Sequence, residues 1–580
     1  MSPHGRPKGE YPRSAGRRES ARGAPVSVHP TTRPARHRPP RHAASARTAL
    51  SALVAAGTLG ALPAHAALTE NLAVSPVAMS LGNAVTADPP GLDSIHFNPA
   101  GLAKITSDTR SDTIFGAVLR TTADFHQPAG FDVGGFTEDP LAGTHSDHNK
   151  QAIFIPIAGV ASNRLPLAVA AGLALSWHNE GSPWTFATGT YVPQAVGIDR
   201  TKNPNDPARF DGKKVVIQRL VYLSPSVGYK VNDQFQVGFA VPIAHQGFAL
   251  DTDMRFPNKL LGIIGKLQDA WCGNNGNPLD TLGFGLCGTD SSGQQSGRLR
   301  PFDSVGEMRF SGTSPADITF NVGALWQPSE YIGFGAVYQS GSKTVITGDY
   351  NFHANPMLPE FVRHMYSSLF GPVVASMFGF PTSIPTDQGG NFTLVMPYPA
   401  HWQFGLKAKP LPGVQFNMDA GWTDWAKWNQ LTFQFDRNVN LLEMARLFGQ
   451  ADSTKLVIPR GYRSVWSYGY GAQFDVWDGF KLRLGYEPRK SSVPTNKIDL
   501  IAPMPELPIK SIGASYELKN GMKLETGFSY ARGHYNVPAN TDCNLNCTDF
   551  FNVIYNPYAG LDVSGTLVLR YFGLKVTQPF

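Results

Sequence analysis

From about residue 110 to the C-terminus, large apolar side chains recur at every second position. In "QFQVGFAVPI", Phe235, Val237, Phe239, Val241 and Ile243 share one face, and Gln234, Gln236, Gly238 and Ala240 the other. The same alternation sets Leu167, Val169, Ala171, Leu173, Leu175 and Trp177 against small partners. It sets Val414, Phe416, Met418, Ala420 and Trp422 against Gln415, Asn417, Asp419, Gly421 and Thr423. It returns at Phe480, Leu482, Leu484 and Tyr486, and at Leu524, Thr526, Phe528 and Tyr530. A period of two belongs to a strand with two unlike faces. In a soluble sandwich the apolar face would pack inward; in a membrane barrel it would face lipid.

Three features favour the barrel. The segments approach the ~9–11 residues that a tilted membrane strand needs. Aromatics crowd strand ends, as at Tyr468/Tyr470, Trp422/Trp425/Trp428 and Tyr571/Phe572, which suits interfacial girdles. Tight connections such as "KVNDQF" and "LKNGMK" alternate with long excursions. Composition agrees: Gly 59, Pro 46, Phe 35 and Tyr 19 stand beside only 16% charged residues, poor in helix formers and rich in turn formers. Fourteen strands are predicted, beginning near residues 110, 150, 165, 214, 233, 315, 330, 389, 412, 461, 479, 508, 522 and 561. The fold expected is all-β: a transmembrane antiparallel barrel over 109–580, ending at Phe580, the terminal aromatic usual in barrels inserted by the assembly machinery.

The first 66 residues read differently. Eleven Lys or Arg against Glu10 and Glu19 give a basic leader of net +9. It is followed by the apolar "ALSALVAAGTLGALPAHA", ending in the small-x-small Ala64-His65-Ala66. That is a secretory signal peptide, with cleavage expected after Ala66. The whole-chain charge of +6 therefore leaves the mature body at −3, which gives no argument for nucleic acid. Export makes two loop disulfides the expected state of Cys272/Cys287 and Cys543/Cys547. A metal site at Cys543/Cys547 lacks third and fourth ligands at a suitable spacing. No nucleotide-binding loop is present, and no cofactor is expected.

Between leader and barrel, residues 67–108 contain "IHFNPAGLAK". Pro99 fixes its own backbone and pushes Asn98 out of the α region; Ala100 and Gly101 permit close approach. Two long excursions carry helical stripes. Leu260, Ile263, Ile264, Leu267 and Trp271 fall on one face of 258–271, and Leu358, Phe361, Val362, Met365, Leu369 and Val373 on one face of 358–378. Such stripes serve either packing over the barrel mouth or an apolar landing groove, for which Leu260, Ile263, Ile264, Leu267, Trp271, Phe361, Met365 and Leu369 are the candidates. Arg483 and Lys481 have lumenal parity and are candidates for a carboxylate headgroup, the alternative being pairing with Glu487 or Glu525.

Taken in order, "GNAVTADPPGLDSIHFNPAGLAKI", "LVMPYPAHWQFGL", "GWTDWAKWNQL", "PMPELPIKSIGASYEL" and "FSYARGHYNV" resemble segments of the FadL/TodX family of outer-membrane transporters for fatty acids and other hydrophobic compounds. Asn98, Pro99 and Ala100 match the family's hatch core. "PMPELPIKS" departs from it, lacking the usual acidic and Arg residues. The resemblance implies an N-terminal hatch inside a fourteen-stranded barrel, helical extracellular loops that capture ligand, and an opening in the wall for lateral release. It implies a passive transporter in the bacterial outer membrane, not an enzyme: a monomer, in contact with lipid and lipopolysaccharide, whose ligand is a hydrophobic small molecule. The alternatives are a general porin, which needs no plug, and a lipid-modifying enzyme. For the latter, "HSDH" at His145–His148 is the densest cluster, and no Gly-x-Ser-x-Gly elbow accompanies it.

Overall fold

The computed structural model describes residues 71, 73–151, 168–273, 276–288, 297–450, 452–548 and 555–580. They form a closed antiparallel barrel of fourteen strands. In chain order these are β1 (Thr109–His126), β2 (His145–Gln151 and Ala168–His178), β3 (Trp184–Asp199), β4 (Lys214–Leu223 and Ser226–Lys230) and β5 (Phe235–Ala240 and Ile243–Arg255). Next come β6 (Ser304–Ile318 and Asn321–Trp326), β7 (Ile332–Gln339 and Val345–Ala354), β8 (Asp387–Val395 and His401–Leu411) and β9 (Val414–Thr423 and Gln430–Phe435). The circuit ends with β10 (Lys455–Pro459 and Val465–Trp477), β11 (Phe480–Glu487), β12 (Ile509–Glu517), β13 (Lys523–Val537) and β14 (Asp562–Pro579). Closure is by β14 on β1, in register from Thr109↔Pro579 to His126↔Asp562. A closed sheet leaves no unpaired edge, which is what the hydrocarbon core demands. Among the described residues no helix is long and apolar enough to cross a membrane.

The predicted total of fourteen holds, but two strand positions differ. The segments expected near 150 and 165 are collinear: both pair with β1, the first along Leu119–Asp124 and the second along Thr109–Ala117. They make one barrel strand; the residues between them, Leu167 included, lie outside the described set. The missing strand is β3, where the register shifts between Tyr191 and Gln194 and breaks the alternation.

The faces of the strands obey the sequence pattern. Phe416 and Met418 are exposed on the outer wall, and Gln415, Asn417 and Asp419 are buried within. Leu524 and Phe528 are likewise outside, Glu525 and Ser529 inside. Trp184 against Tyr229, and Trp477 against Phe480, place aromatic pairs 4.3 and 4.2 Å apart at the short-turn end. Trp425 and Trp428 depart from the expected girdle. The chain leaves β9 after Thr423 for a 3₁₀ turn, Trp425–Trp428, and both indoles are buried. Trp428 donates to the Pro397 carbonyl (2.5 Å) and stacks on Tyr462. Tyr571 is buried as well; its neighbour Phe572 faces out.

The bore has two unlike halves. Toward the short turns its lining is glycine, amide and charge. Toward the long loops it is aromatic and aliphatic: Phe310 lies 5.0 Å from Phe433 and 5.4 Å from Phe392, and Tyr350 lies 4.9 Å from Phe435. Burial of each such ring contributes about 1.5–3 kcal/mol.

Candidate functional site: the segment inside the bore

Residues 73–106 occupy the polar half of the bore. Ser75 caps α1 (Pro76–Ser80), its Oγ accepting from the Ala78 N–H (3.2 Å), with Pro76 at the first helical position. The chain then reverses through Gly82 and Asn83, both left-handed (φ 62° and 59°). A short 3₁₀ turn (Gly91–Asp93) leads into α2 (Ser94–Phe97), and a second 3₁₀ helix (Pro99–Lys104) ends the segment.

Asn98 joins these last two elements and is completely buried. Its Oδ1 accepts the Ala100 N–H (3.1 Å), capping the 3₁₀ helix that Pro99 opens. Its Nδ2 donates to the Thr86 carbonyl (2.9 Å) within the segment and to the Ala324 carbonyl (3.1 Å) on β6. One side chain thus folds the segment and fastens it to the wall.

The wall is shaped to receive it. A β-carbon on Gly527 would stand 2.5 Å from the Pro76 carbonyl oxygen, and one on Gly513 2.4 Å from Ser80 Cβ. On Gly485 it would meet Gly82 N at 2.2 Å, and on Gly335 the Thr86 oxygen at 2.1 Å. On Gly238 it would meet the Pro99 carbonyl carbon at 2.1 Å, and on Gly228 Ala103 N at 2.5 Å. Several of these glycines face each other across the ladder: Gly228↔Gly238, Gly238↔Gly323, Gly335↔Gly405, Gly471↔Gly485 and Gly513↔Gly527. They make an inner belt on which the backbone of the segment lies directly.

Polar contacts complete the seat. Asp419 Oδ2 accepts from Val85 N (2.9 Å), Thr86 N (2.8 Å) and Gln403 Nε2 (2.9 Å). Asp88 pairs with Lys407 on β8 (3.2 Å) and with Lys104 (3.4 Å). Lys575 on β14 reaches Asp93 (2.8 Å). Asn83 donates to Glu487 (2.9 Å), and Gln339 to the His96 carbonyl (2.6 Å).

The loop candidates divide. In α3 (Lys259–Cys272), Ile263, Leu267 and Trp271 are exposed, and Leu260 and Ile264 half-buried. The face turned to the protein is small: Gly262 lies on the Val133 carbonyl and Gly265 on that of Leu299. The second stripe breaks at Ser368–Phe370 into α4 (Met357–Ser367) and α5 (Gly371–Phe378). Phe361 and Met365 enter the core, whereas Leu369 is exposed. Leu369 and Phe370 donate to the carbonyls of Thr281 and Gly283, so exposed apolar residues of both loops adjoin. Cys272 is joined to Cys287 (Cα–Cα 5.3 Å) and Cys543 to Cys547 (4.7 Å).

Arg483 is buried, with Nε donating to Gln473 (2.8 Å) and Glu525 4.0 Å from Nη2; Lys481 pairs with Asp475 (3.4 Å) at the rim. "HSDH" lies on β2. Ser146 donates to Asp206 (2.9 Å), and His148 lies against the other oxygen of the same carboxylate. The acid, not the imidazole, receives the serine proton, so the geometry does not activate Ser146 as a nucleophile. The glycine belt, Asp419, Lys407 and Lys575 are parts of the site that sequence reasoning missed. Their only trace was the small residues on the inward parity.

A closed lipid-facing barrel with a folded segment seated in its bore defines an outer-membrane channel of the plugged class. The profile of the OMPP1/FadL/TodX family of outer-membrane transport proteins matches residues 54–580, and the chain belongs to that family. A Pseudomonas aeruginosa FadL homologue has the same fold (TM-score 0.62, 17% identity, covering 89% of this chain and 100% of that one). So has the P. putida toluene transporter TodX (0.51, 11%, 87% and 97%). The monoaromatic hydrocarbon channel CymD is comparable (0.50, 14%, 88% and 98%). No curated protein matches the sequence. The protein is an outer-membrane transport protein.

Proposed function

We propose that the protein carries long-chain fatty acids or other hydrophobic compounds passively across the outer membrane. The observation that supports this best is the apolar half of the bore. A tail costs about 0.8 kcal/mol per methylene to keep in water. A lining of Phe248, Phe310, Tyr350, Phe392, Phe433 and Phe435 lowers that cost where a water-filled pore would not. In this reading residues 1–66 are a leader removed on export, and 67–108 are a hatch. Exposed Ile263, Leu267, Trp271 and Leu369 collect ligand at the mouth, beside lipopolysaccharide. The aromatic throat passes it toward the hatch, whose rearrangement opens the way, and release is sideways through the wall. Leu119, Val196, Ile198, Met504, Leu567 and Tyr571 line a small, largely apolar recess. The barrel acts as a monomer once the assembly machinery has inserted it. Mass spectrometry of protein purified under mild conditions tests the substrate class. A bound fatty acid or hydrocarbon is expected; hydrolysed phospholipid produced by the purified protein would contradict the reading.

A further inference from the structure

The outer wall changes chemistry in steps along β11–β14. Leu484, Ile512, Phe528 and Phe572 stand side by side in register and face out. The next outward row toward the long loops is Tyr486, Lys510, Tyr530 and Arg570, aromatic and cation in alternation. One step further, Arg532 stands opposite Val568. All the residues of the second row and Arg532 are exposed. Arg532 is the diagonal neighbour of both Lys510 and Arg570, about 7–8 Å from each in sheet geometry. Among the described residues none of these three cations is in an ion pair. Other outward cations toward the long loops are neutralised: Arg120 by Asp147 (2.6 Å) and Arg309 on β6 by Glu307 (2.8 Å). Exposed Glu506, whose carbonyl lies against Gly533, is paired with none of the three. Like charges gathered at the edge of an apolar band repel one another, and an anion presented from the membrane side would stabilise them.

We propose that Lys510, Arg532 and Arg570 form a lipid site on the outside of the barrel. It holds the phosphorylated saccharide headgroup of one outer-leaflet glycolipid, the lipid A part of lipopolysaccharide. Guanidinium forks match phosphate oxygens two at a time, and the lysine adds a compact third charge. Tyr486 and Tyr530 lie at the level where aromatic girdles meet headgroups, and their rings can rest against the saccharide. The acyl chains then run over Ile512, Phe528 and Phe572, the exposed row toward the short turns. Three cations spread over β12, β13 and β14 suit a headgroup with more than one phosphate better than a phospholipid, which carries one. The site lies on the outer wall and uses no residue of the bore, so it stands apart from the transport reading.

The test titrates the intact protein in phosphatidylcholine nanodiscs with diphosphoryl lipid A, dephosphorylated lipid A and phosphatidylglycerol, and counts bound lipid by native mass spectrometry. Wild type should hold one diphosphoryl lipid A, about tenfold more tightly than the dephosphorylated form. Arg532→Gln and Arg570→Gln should each weaken that binding about fivefold, and the double variant should erase the preference. Arg309→Gln, which removes a cation that already has a carboxylate, should change nothing. Heat modifiability confirms that each variant barrel is folded; if one were not, the wild-type preference for the phosphorylated lipid would decide alone. No such preference would overturn the site. So would an equal loss in Arg309→Gln and Arg570→Gln, which would mean diffuse attraction to the positive face. Phosphatidylglycerol bound as tightly as diphosphoryl lipid A would assign the patch to any anionic lipid and overturn the glycolipid form.

Discussion

Asn98 and Gly323 share one point on the inner wall: a β-carbon on Gly323 would stand 2.0 Å from Asn98 Oδ1. The plug's most connected side chain and the wall's missing side chain are therefore parts of one joint. Gly323→Ala must push Asn98 from its contacts with Thr86 and Ala324, and overpacking of this kind costs about 1–3 kcal/mol. Asn98→Ala leaves buried carbonyls unpaired at a similar cost. Both variants should still assemble as heat-modifiable barrels, but their plugs should be cut faster by protease and their planar-bilayer conductance should rise. If Asn98→Ala altered neither barrel assembly nor uptake, the segment would be an ordinary turn.

The loop Pro207–Asp211 predicts a pH dependence. Burial, followed by the charge of Asp499, raises the Asp211 carboxyl well above the ordinary 3.8. An acid raised in the folded state binds more protons there than in the unfolded chain, so its contribution falls as pH rises above the ordinary carboxylate range. Asp211→Asn keeps an acceptor for the Leu500 N–H (2.7 Å in the wild type) and removes the ionisable group. The variant should melt higher than wild type at pH 7, with the gap closing below about pH 4. A variant less stable at pH 7 would show that the charge is favourable where it lies.

The Cys272–Cys287 bond closes 15 residues at the end of α3. A loop of that length is stabilised by about 3 kcal/mol in the chain-entropy account. Cys272→Ser with Cys287→Ser should leave the barrel intact and increase hydrogen exchange across residues 276–288. Unchanged exchange there would mean that Trp271–Asp280 (3.1 Å) and the neighbouring contacts hold the loop unaided.

The two helical stripes should separate ligand capture from stability. Trp271 is exposed and Phe361 buried in the core. Trp271→Ala should lower hydrophobic uptake at a stability cost of about 1–2 kcal/mol, that of its hydrogen bond to Asp280; Phe361→Ala should cost about 3–5 kcal/mol. Equal uptake by Trp271→Ala and wild type would remove α3 from the capture surface.

The barrel was legible because lipid and lumen impose opposite chemistry on successive residues, as at Phe416/Gln415 and Met418/Asn417. It became illegible where the period breaks. β3 reads poorly because its register shifts between Tyr191 and Gln194, and because both faces are buried from Tyr191 to Gln194. Trp425 and Trp428 resemble a girdle in sequence but fall on a turn that tucks inward. In α3, a helical stripe marks amphipathicity without saying which face is covered. Two glycines supply the close packing, and the large side chains face out. Asn98-Pro99-Ala100 was legible as a tight turn, but its partners on β5 and β6 lie more than a hundred residues away. Only the closed barrel brings Gly238 and Gly323 under it.

Paired uptake measurements test the central claim most directly. Cells carrying the intact protein are offered a labelled long-chain fatty acid or monoaromatic hydrocarbon, and separately a small labelled sugar. The plugged, aromatic-lined bore predicts uptake of the hydrophobic compound above the background of cells lacking the protein, with no added sugar flux. Sugar entry without hydrophobic uptake would contradict it and identify a porin.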